Sequence, residues 1–192
     1  MENKKFYIGG EWLEPVNHEE ISVINPATEE VVSIVSNGNS DDLDKAVDSA
    51  RNAFNSFSQS TKEERLKLLN KICENYEKRI KDIAEIIRLE MGAPLKLANG
   101  SQSNLGLQHL KTAIRVLGEH KFEFKHNNLL IRHEPIGVCG LITPWNWPVN
   151  QIMAKLGPSL AAGCTSILKP SEIAPGSAMI IAEILDASDA PP

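Results

Sequence analysis

Two short apolar runs, each followed by a polar turn that contains proline, constrain the fold of this 192-residue chain most strongly. The first run, residues 136–142, has the length of a strand and is typical of a strand buried on both faces in a parallel sheet. An apolar-periodic helical segment separates it from the second run, Thr165 to Leu168. Strands that alternate with helices indicate an α/β fold. In open sheets of this class ligands bind at the carboxyl ends of strands, so the turns at 143–146 and 169–172 are predicted to line a site.

Short strands followed by long helices are predicted upstream of this region. The helix after Ser40 is expected to use that hydroxyl as its cap, and the next helix begins with a Thr61–Glu64 capping box. A break is expected near Asn75, and Gly92 should end that helix in a left-handed conformation. A further helix should end at Gly118. The predicted strands are Phe6–Ile8, Glu11–Leu13, Ile21–Ile24 and Val31–Val35, and the apolar stripe of the first helix is Leu43, Val47, Ala50, Phe54 and Phe57.

Composition argues against several classes of function. A net charge of −5 with no basic stripe argues against a nucleic-acid partner. The N-terminus lacks the apolar region of a signal peptide and no apolar run approaches 18 residues, so we expect no membrane span and a cytoplasmic protein. The three cysteines fit reduced thiols, and the five histidines have no metal-ligand spacing, so no metal site is predicted.

Sequence motifs across most of the chain point to a family. PWNWP and LKPSE are separated by a helix and AAGCT, and YIGGEW and INPATEEVV occur near the start. Together they resemble the N-terminal part of the aldehyde dehydrogenase superfamily, which oxidises aldehydes to acids with NAD or NADP. The chain is well under half the length of a typical member, and the resemblance implies that it ends inside the nucleotide-binding domain.

The resemblance implies three regions in an incomplete fold of this family. Residues 1–120 would supply N-terminal strands and a helical scaffold. Residues 121–135, where Phe122 and Phe124 alternate with charged residues, read as a hairpin. In the family this hairpin projects and pairs between subunits, which implies a homo-oligomer; an ordinary surface hairpin is the alternative. Residues 136–192 would form the first β-α-β-α part of a Rossmann-like parallel sheet.

Asn146 is the strongest catalytic candidate. It follows a strand and a rigid Thr-Pro-Trp turn, so its carboxamide can be held in a fixed place. An amide N–H directed at a developing oxyanion stabilises a tetrahedral intermediate. The family uses the Asn of PWN in this way, on the hemithioacetal that forms from the aldehyde and a cysteine thiolate. The alternative is an asparagine that caps the following helix.

Residues at the two strand ends are candidates for binding the cofactor. The resemblance implies that Lys169 and Glu172 contact the adenosine ribose. A glutamate here favours NAD mildly over NADP, because its charge would repel a 2′-phosphate. The alternative is an ordinary surface Lys and Glu near the start of a helix. The same groove would be lined by Ile142, Thr143, Pro144 and Trp145.

The helix after Asn146 carries the residues that, by analogy, would face the aldehyde tunnel. Trp147, Gln151 and Ala154 are spaced by four and three residues and share one helical face. A core role for Trp147 is the alternative. Pro158 is expected to kink this helix or to end its first portion. Cys164 is predicted to be a structural thiol, since the family's nucleophile belongs to a later segment.

The expected function of the intact enzyme is therefore NAD(P)-dependent oxidation of an aldehyde to a carboxylic acid. Covalent catalysis of this kind needs a thiolate nucleophile and a general base. In the family both lie beyond the residues present here, so the isolated chain is expected to be inactive. The alternatives are a catalytically dead truncated product and a binding fragment that modulates an oligomer. The identity of the aldehyde is left open.

Overall fold

The computed structural model describes residues 4–191 and shows eight strands and six α-helices in that range. The strands are β1 (Phe6–Ile8), β2 (Glu11–Leu13), β3 (Glu20–Ile24), β4 (Val31–Ser36), β5 (Glu123–His126), β6 (Leu129–Arg132), β7 (Val138–Ile142) and β8 (Thr165–Lys169). The helices are α1 (Ser40–Phe57), α2 (Lys62–Met91), α3 (Leu95–Leu97), α4 (Ser103–Glu119), α5 (Pro148–Ala162) and α6 (Gly176–Asp186), with a π-helical segment at Ala98–Gln102.

The predicted N-terminal strands are confirmed, but the cap of α1 differs from the prediction. The pairs β1–β2 and β3–β4 are antiparallel. The cap is Asn39 rather than Ser40, which is the first helical residue. Asn39 accepts a hydrogen bond from the Asp42 main-chain N–H at 3.0 Å, and Asp42 accepts one from the Asn39 N–H at 3.2 Å. This reciprocal pair satisfies two N–H groups at once, which explains the shift of one residue. The predicted apolar stripe of α1 is only partly buried, because Leu43 is 54% exposed.

Helix α2 is continuous over 30 residues, so the break expected near Asn75 is wrong. The Asn75 side chain instead donates to Ala187 O at 3.1 Å and to Ser188 Oγ at 2.9 Å, just after α6. The predicted Thr61–Glu64 capping box is confirmed. The left-handed Gly92, with φ of 69°, ends the helix as predicted.

The hydrophobic core lies among helices α2, α4, α5 and α6. The Tyr76 hydroxyl is buried within it and donates to Ser103 O at 2.7 Å, which joins α2 to the start of α4. Helix α4 ends at Glu119, one residue later than predicted. Other fully buried side chains are Leu69, Ile72, Ile83, Ile87, Leu110, Ile152, Met153, Ile180, Ile181 and Ile184.

The predicted hairpin is confirmed as β5 and β6, which pair antiparallel around Asn127 and Asn128. Arg65, which is 7% exposed, connects the base of this hairpin to the helices. The guanidinium lies 4.7 Å from the centroid of the Phe122 ring and donates to Ala161 O, near the end of α5, at 3.0 Å. A cation near these terminal carbonyls is favourable.

The strands β7 and β8 form a parallel pair with a helix against each face. Thr165 Oγ1 donates to Ala50 O of α1 at 2.8 Å, whereas Ser166 Oγ lies 2.7 Å from Ser159 Oγ of α5. Because consecutive side chains of a strand point to opposite faces, α1 and α5 cover different faces of β8. Strand β7 begins at Val138 rather than Ile136, since Gly137 has φ of +126° and interrupts the extended chain.

Helix α5 runs through Pro158 to Ala162, so the expectation that this proline ends a first portion of the helix is wrong. Proline removes only one N–H donor from the helical ladder, and Pro158 lies on the exposed side. The helix ends instead at Gly163, which is left-handed with φ of 83°.

Candidate active site

The carboxyl ends of β7 and β8 lie side by side and bring the two predicted turns together. Ile142 pairs with Lys169 in the register of the sheet. The Thr143 N–H donates to Lys169 O at 3.2 Å, which continues the ladder into the turn. Residues that are 27 positions apart in the chain therefore occupy one edge, where ligands bind in open α/β sheets.

The Lys169 and Glu172 side chains form an exposed ion pair at this edge. Lys169 Nζ lies 3.3 Å from Glu172 Oε2, and the two side chains are 66% and 58% exposed. A hydrogen bond from its own main-chain N–H, followed by the contact with Lys169, lowers the pKa of Glu172. The carboxylate is thus ionised at neutral pH and presents acceptor oxygens to solvent.

Apolar surface flanks this ion pair. Ile142 is 75% exposed and Trp145 is 47% exposed, although both are large hydrophobic side chains. Pro144 is exposed as well, whereas Thr143 is buried beneath the turn. The edge therefore combines an apolar strip with an exposed carboxylate and an ammonium group, the combination expected of a binding groove.

Asn146 is exposed, and its carboxamide has no hydrogen-bond partner among residues 4–191. The alternative of a helix-capping asparagine is wrong. The residue at the cap of α5 is Trp147, with φ of −140° and ψ of 67°, and no side chain caps this helix. The main-chain oxygen of Asn146 is held instead, because it accepts a hydrogen bond from Gln102 Nε2 at 3.2 Å. The main chain of Asn146 is therefore fixed, and its side-chain NH2 group is available to donate a hydrogen bond to a ligand.

The three residues predicted to line the tunnel are all half-buried. Trp147, Gln151 and Ala154 lie at the start and along one face of α5. Gln151 Oε1 accepts a hydrogen bond from Lys155 Nζ at 3.2 Å, so a cation lies beside this face. Trp147 is not among the buried core residues.

The comparisons with known proteins identify the family. The model of the aldehyde dehydrogenase family matches residues 12–192. This chain belongs to the aldehyde dehydrogenase family. A 3-succinoylsemialdehyde-pyridine dehydrogenase of a Pseudomonas species is 49% identical over 190 residues, which are 98% of this chain and 40% of that relative.

Solved aldehyde dehydrogenase structures share the fold. One from Bartonella henselae is 44% identical with a TM-score of 0.96, over 100% of this chain and 41% of that one. A mutant aldehyde dehydrogenase C of Pseudomonas syringae, crystallised with NAD+ and octanal, is 44% identical with a TM-score of 0.97, over 99% of this chain and 39% of its own. The chain thus spans about 40% of the length of the relatives it matches, and its fold is an incomplete aldehyde dehydrogenase fold.

Two of the three cysteines of this aldehyde dehydrogenase chain lie in its packed interior, and Cys139 is half-buried. Cys164 is 3% exposed and Cys73 is 8% exposed, and burial raises the pKa of the Cys73 thiol. A buried thiol with a raised pKa is a poor nucleophile. Residues 4–191 contain no group of three or more His, Cys, Asp or Glu side chains placed to hold a metal ion. No helix in that range is long and apolar enough to span a bilayer.

Sequence reasoning missed two polar residues close to the site, Gln102 and Lys155. Gln102 lies in the polar stretch NGSQSN, which reads as a loop, and local pattern gave no sign that it would be buried. Lys155 could have been found, because it is four residues beyond Gln151 on the same helix.

Proposed function

We propose that residues 1–192 form the front part of an NAD-dependent aldehyde dehydrogenase that oxidises an aldehyde to a carboxylic acid. The observation that carries this proposal is the available Asn146 carboxamide, next to the strand ends that hold Lys169 and Glu172. An exposed donor without a partner, on a main chain that is itself held, has the arrangement required of an oxyanion site.

Asn146 acts on the substrate at the carbonyl oxygen. A thiolate from the rest of the enzyme adds to the aldehyde, the carbonyl π electrons move to oxygen, and a tetrahedral hemithioacetal forms. The Asn146 N–H donates to the negative oxygen as this charge develops. A donor that is already in place stabilises the transition state more than the neutral carbonyl, and this difference accelerates the reaction.

The groups at the strand ends fit the adenosine part of NAD. Glu172 is ionised and exposed, so its carboxylate can accept hydrogen bonds from ribose hydroxyls, with the Lys169 ammonium beside it. Ile142, Thr143, Pro144 and Trp145 line the same groove in this proposal. When bound, NAD supplies the hydride acceptor. The negative Glu172 disfavours a 2′-phosphate, so NADP is the weaker candidate.

Trp147, Gln151 and Ala154 line the aldehyde tunnel in this proposal, on the same side of α5 as the reacting carbonyl. The relatives' names point to different aldehydes, one a pyridine semialdehyde and the other octanal. The Gln151–Lys155 contact places a polar group on this tunnel face.

The remaining assignments follow from the same proposal. Residues 1–120 are scaffold, residues 121–135 are an oligomerisation hairpin, and residues 136–192 begin the nucleotide-binding sheet of a cytoplasmic homo-oligomer. The exposed Leu129 and Leu130 of the hairpin, at 64% and 60%, support an intersubunit role. Residues 1–192 alone contain no nucleophile and no general base of the family, so alone they oxidise no aldehyde.

The test begins with the intact mass of the protein made from its native gene. If the mass exceeds 21.1 kDa, the product is assayed directly; if it equals this value, residues 1–192 are joined to the remaining sequence of the Bartonella henselae enzyme and the hybrid is assayed. We expect NADH formation from NAD+ and octanal, and an Asn146→Ala variant with kcat lower by about 100- to 1,000-fold. An Asn146→Ala variant with undiminished kcat would refute the proposed role.

A further inference from the structure

Gln102 is a buried polar residue whose hydrogen bonding is only half satisfied. It is 1% exposed and closes the π-helical segment before α4. Its Nε2 donates to Asn146 O at 3.2 Å and contacts Met91 Sδ at 3.4 Å. Its Oε1 is buried and has no hydrogen-bond partner among residues 4–191. The strongest hydrogen bond of this side chain is therefore the one to the Asn146 main chain.

Fold stability does not explain a glutamine at this position. A buried amide that leaves its oxygen unpaired is costly, and an apolar side chain of similar shape would avoid that cost. Methionine is close in length and flexibility and suits irregular gaps in a core. Gln102 thus lowers the stability of the fold and contacts the segment that carries Asn146. This combination points to a functional role.

Gln102 is also held firmly by its surroundings. The next residue, Ser103, accepts a hydrogen bond at 2.7 Å from the buried Tyr76 hydroxyl. Ala98, at the other end of the π-helical segment, is fully buried. Short π-helical segments are rare and occur frequently at functional sites. A continuous set of contacts thus runs from the core at Tyr76, through Ser103 and Gln102, to Asn146.

We propose that Gln102 is a positioning residue for Asn146. Its amide fixes the main chain of Asn146, so that the available carboxamide occupies the place where the oxyanion develops. This inference rests on the proposed function, since it assigns Gln102 a role that acts only through the oxyanion donor. Small displacements of a catalytic group are expensive, with about 100-fold in rate lost for a misplacement of about 1 Å.

The test is a double-mutant cycle in the enzyme or hybrid described above, with NAD+ and octanal. Gln102→Met removes the donor and retains the size of the side chain. We expect kcat to fall by about 10-fold or more, while KM for NAD+ stays the same and the melting temperature does not fall. In the Asn146→Ala background the same substitution should leave kcat unchanged, because the group that Gln102 positions is already gone. Gln59→Met, at an exposed position, is the matched control and should change none of these three quantities.

Gln102→Glu provides a second variant in case Gln102→Met does not fold. It retains the shape and the acceptor but places a second acceptor against Asn146 O, so the same loss in kcat is expected. Equal losses in both backgrounds would mean a general structural role and would overturn the inference while leaving the proposed function in place. An Asn146→Ala variant with undiminished kcat would overturn both.

Discussion

Glu90 is the most heavily desolvated acid among the described residues with a shifted pKa. It lies at the end of α2, is 1% exposed, and accepts hydrogen bonds from the Gly176 N–H at 2.9 and 3.1 Å. This N–H and the start of α6 favour the charged form. Burial opposes them and is the larger effect, so it raises the pKa of Glu90 to about 7.

The Glu90→Gln variant should remove a pH dependence of stability. The folded state binds the Glu90 proton more tightly than the unfolded state, whose pKa is near 4.5. The resulting stabilisation is fully present below pH 4.5 and is lost as the pH rises through about 7, a change of about 3 kcal/mol. Glutamine does not titrate, so urea unfolding between pH 4.5 and 8 should show a smaller loss for the variant.

Glu74→Gln is the matched control, since Glu74 is exposed on the same helix and its substitution should leave the pH profile of stability unchanged. Parallel profiles for Glu90→Gln and the wild type would show that Glu90 does not titrate as described. The two variants differ mainly in burial, so the comparison isolates desolvation as the cause.

The sequence could identify a buried residue only where a pattern marks it. Glu90 lies seven residues after Ile83 and three after Ile87, on the apolar face of α2, so an acid on that stripe was a visible signal. Asn146 became the catalytic candidate through its motif, and the structure removed its alternative as a helix cap. Gln102 has no such signal, because its burial depends on the π-helical segment and on contacts 44 residues away.

At the scale of elements, Gly106 sets how closely α4 approaches α2. A Cβ at Gly106 would lie 2.3 Å from the Tyr76 hydroxyl oxygen and 3.3 Å from Met153 Cγ. That hydroxyl cannot move away without losing its hydrogen bond to Ser103 O. Helices α2 and α4 therefore approach so closely at Gly106 that no side chain fits there.

Gly106→Ala should destabilise the protein by about 1–3 kcal/mol, because the added methyl group overpacks the helix interface. Gly118→Ala in the same helix has open space around its Cβ and should be neutral or stabilising by up to about 1 kcal/mol, from helix propensity alone. Chemical denaturation of both variants measures the difference. If both alanines had the same effect, helix propensity rather than the Tyr76 contact would control this position.

The two ends of α2 are fixed by local chemistry and were predictable from the sequence, whereas features fixed by tertiary contacts were not. The cap of α1 is also local, but the prediction missed it by one residue because Asn39 and Ser40 are both favourable capping residues. The Thr61–Glu64 box and the left-handed Gly92 follow from neighbouring residues, and both were predicted. The continuity of α2 at Asn75 depends on partners 112 and 113 residues away. The passage of α5 through Pro158 likewise reflects its packing against β8 and α4 rather than its own sequence.

At the scale of the whole molecule, the parallel pair β7–β8 is covered on its faces but ends in exposed apolar groups. The α/β class and the parallel order followed from the alternation of strand and helix in the sequence. The exposed fraction of each individual side chain did not follow from this alternation, because it depends on which surfaces the other elements cover. Ile136 is 88% exposed and Ile142 is 75% exposed, and the hairpin residues Leu129 and Leu130 are 64% and 60% exposed.

Residues 1–192, purified alone, should self-associate, because exposed apolar side chains at strand ends and on a hairpin form intermolecular contacts. Light scattering after size-exclusion chromatography should give a mass above 21.1 kDa that falls on dilution. Replacing Leu129 and Leu130 with serine should lower that mass, whereas replacing the isolated Leu43 on α1, which is 54% exposed, should not. A monomer of 21.1 kDa with a cooperative melt would contradict this expectation, since it would show that the exposed apolar groups are compatible with an independent fold.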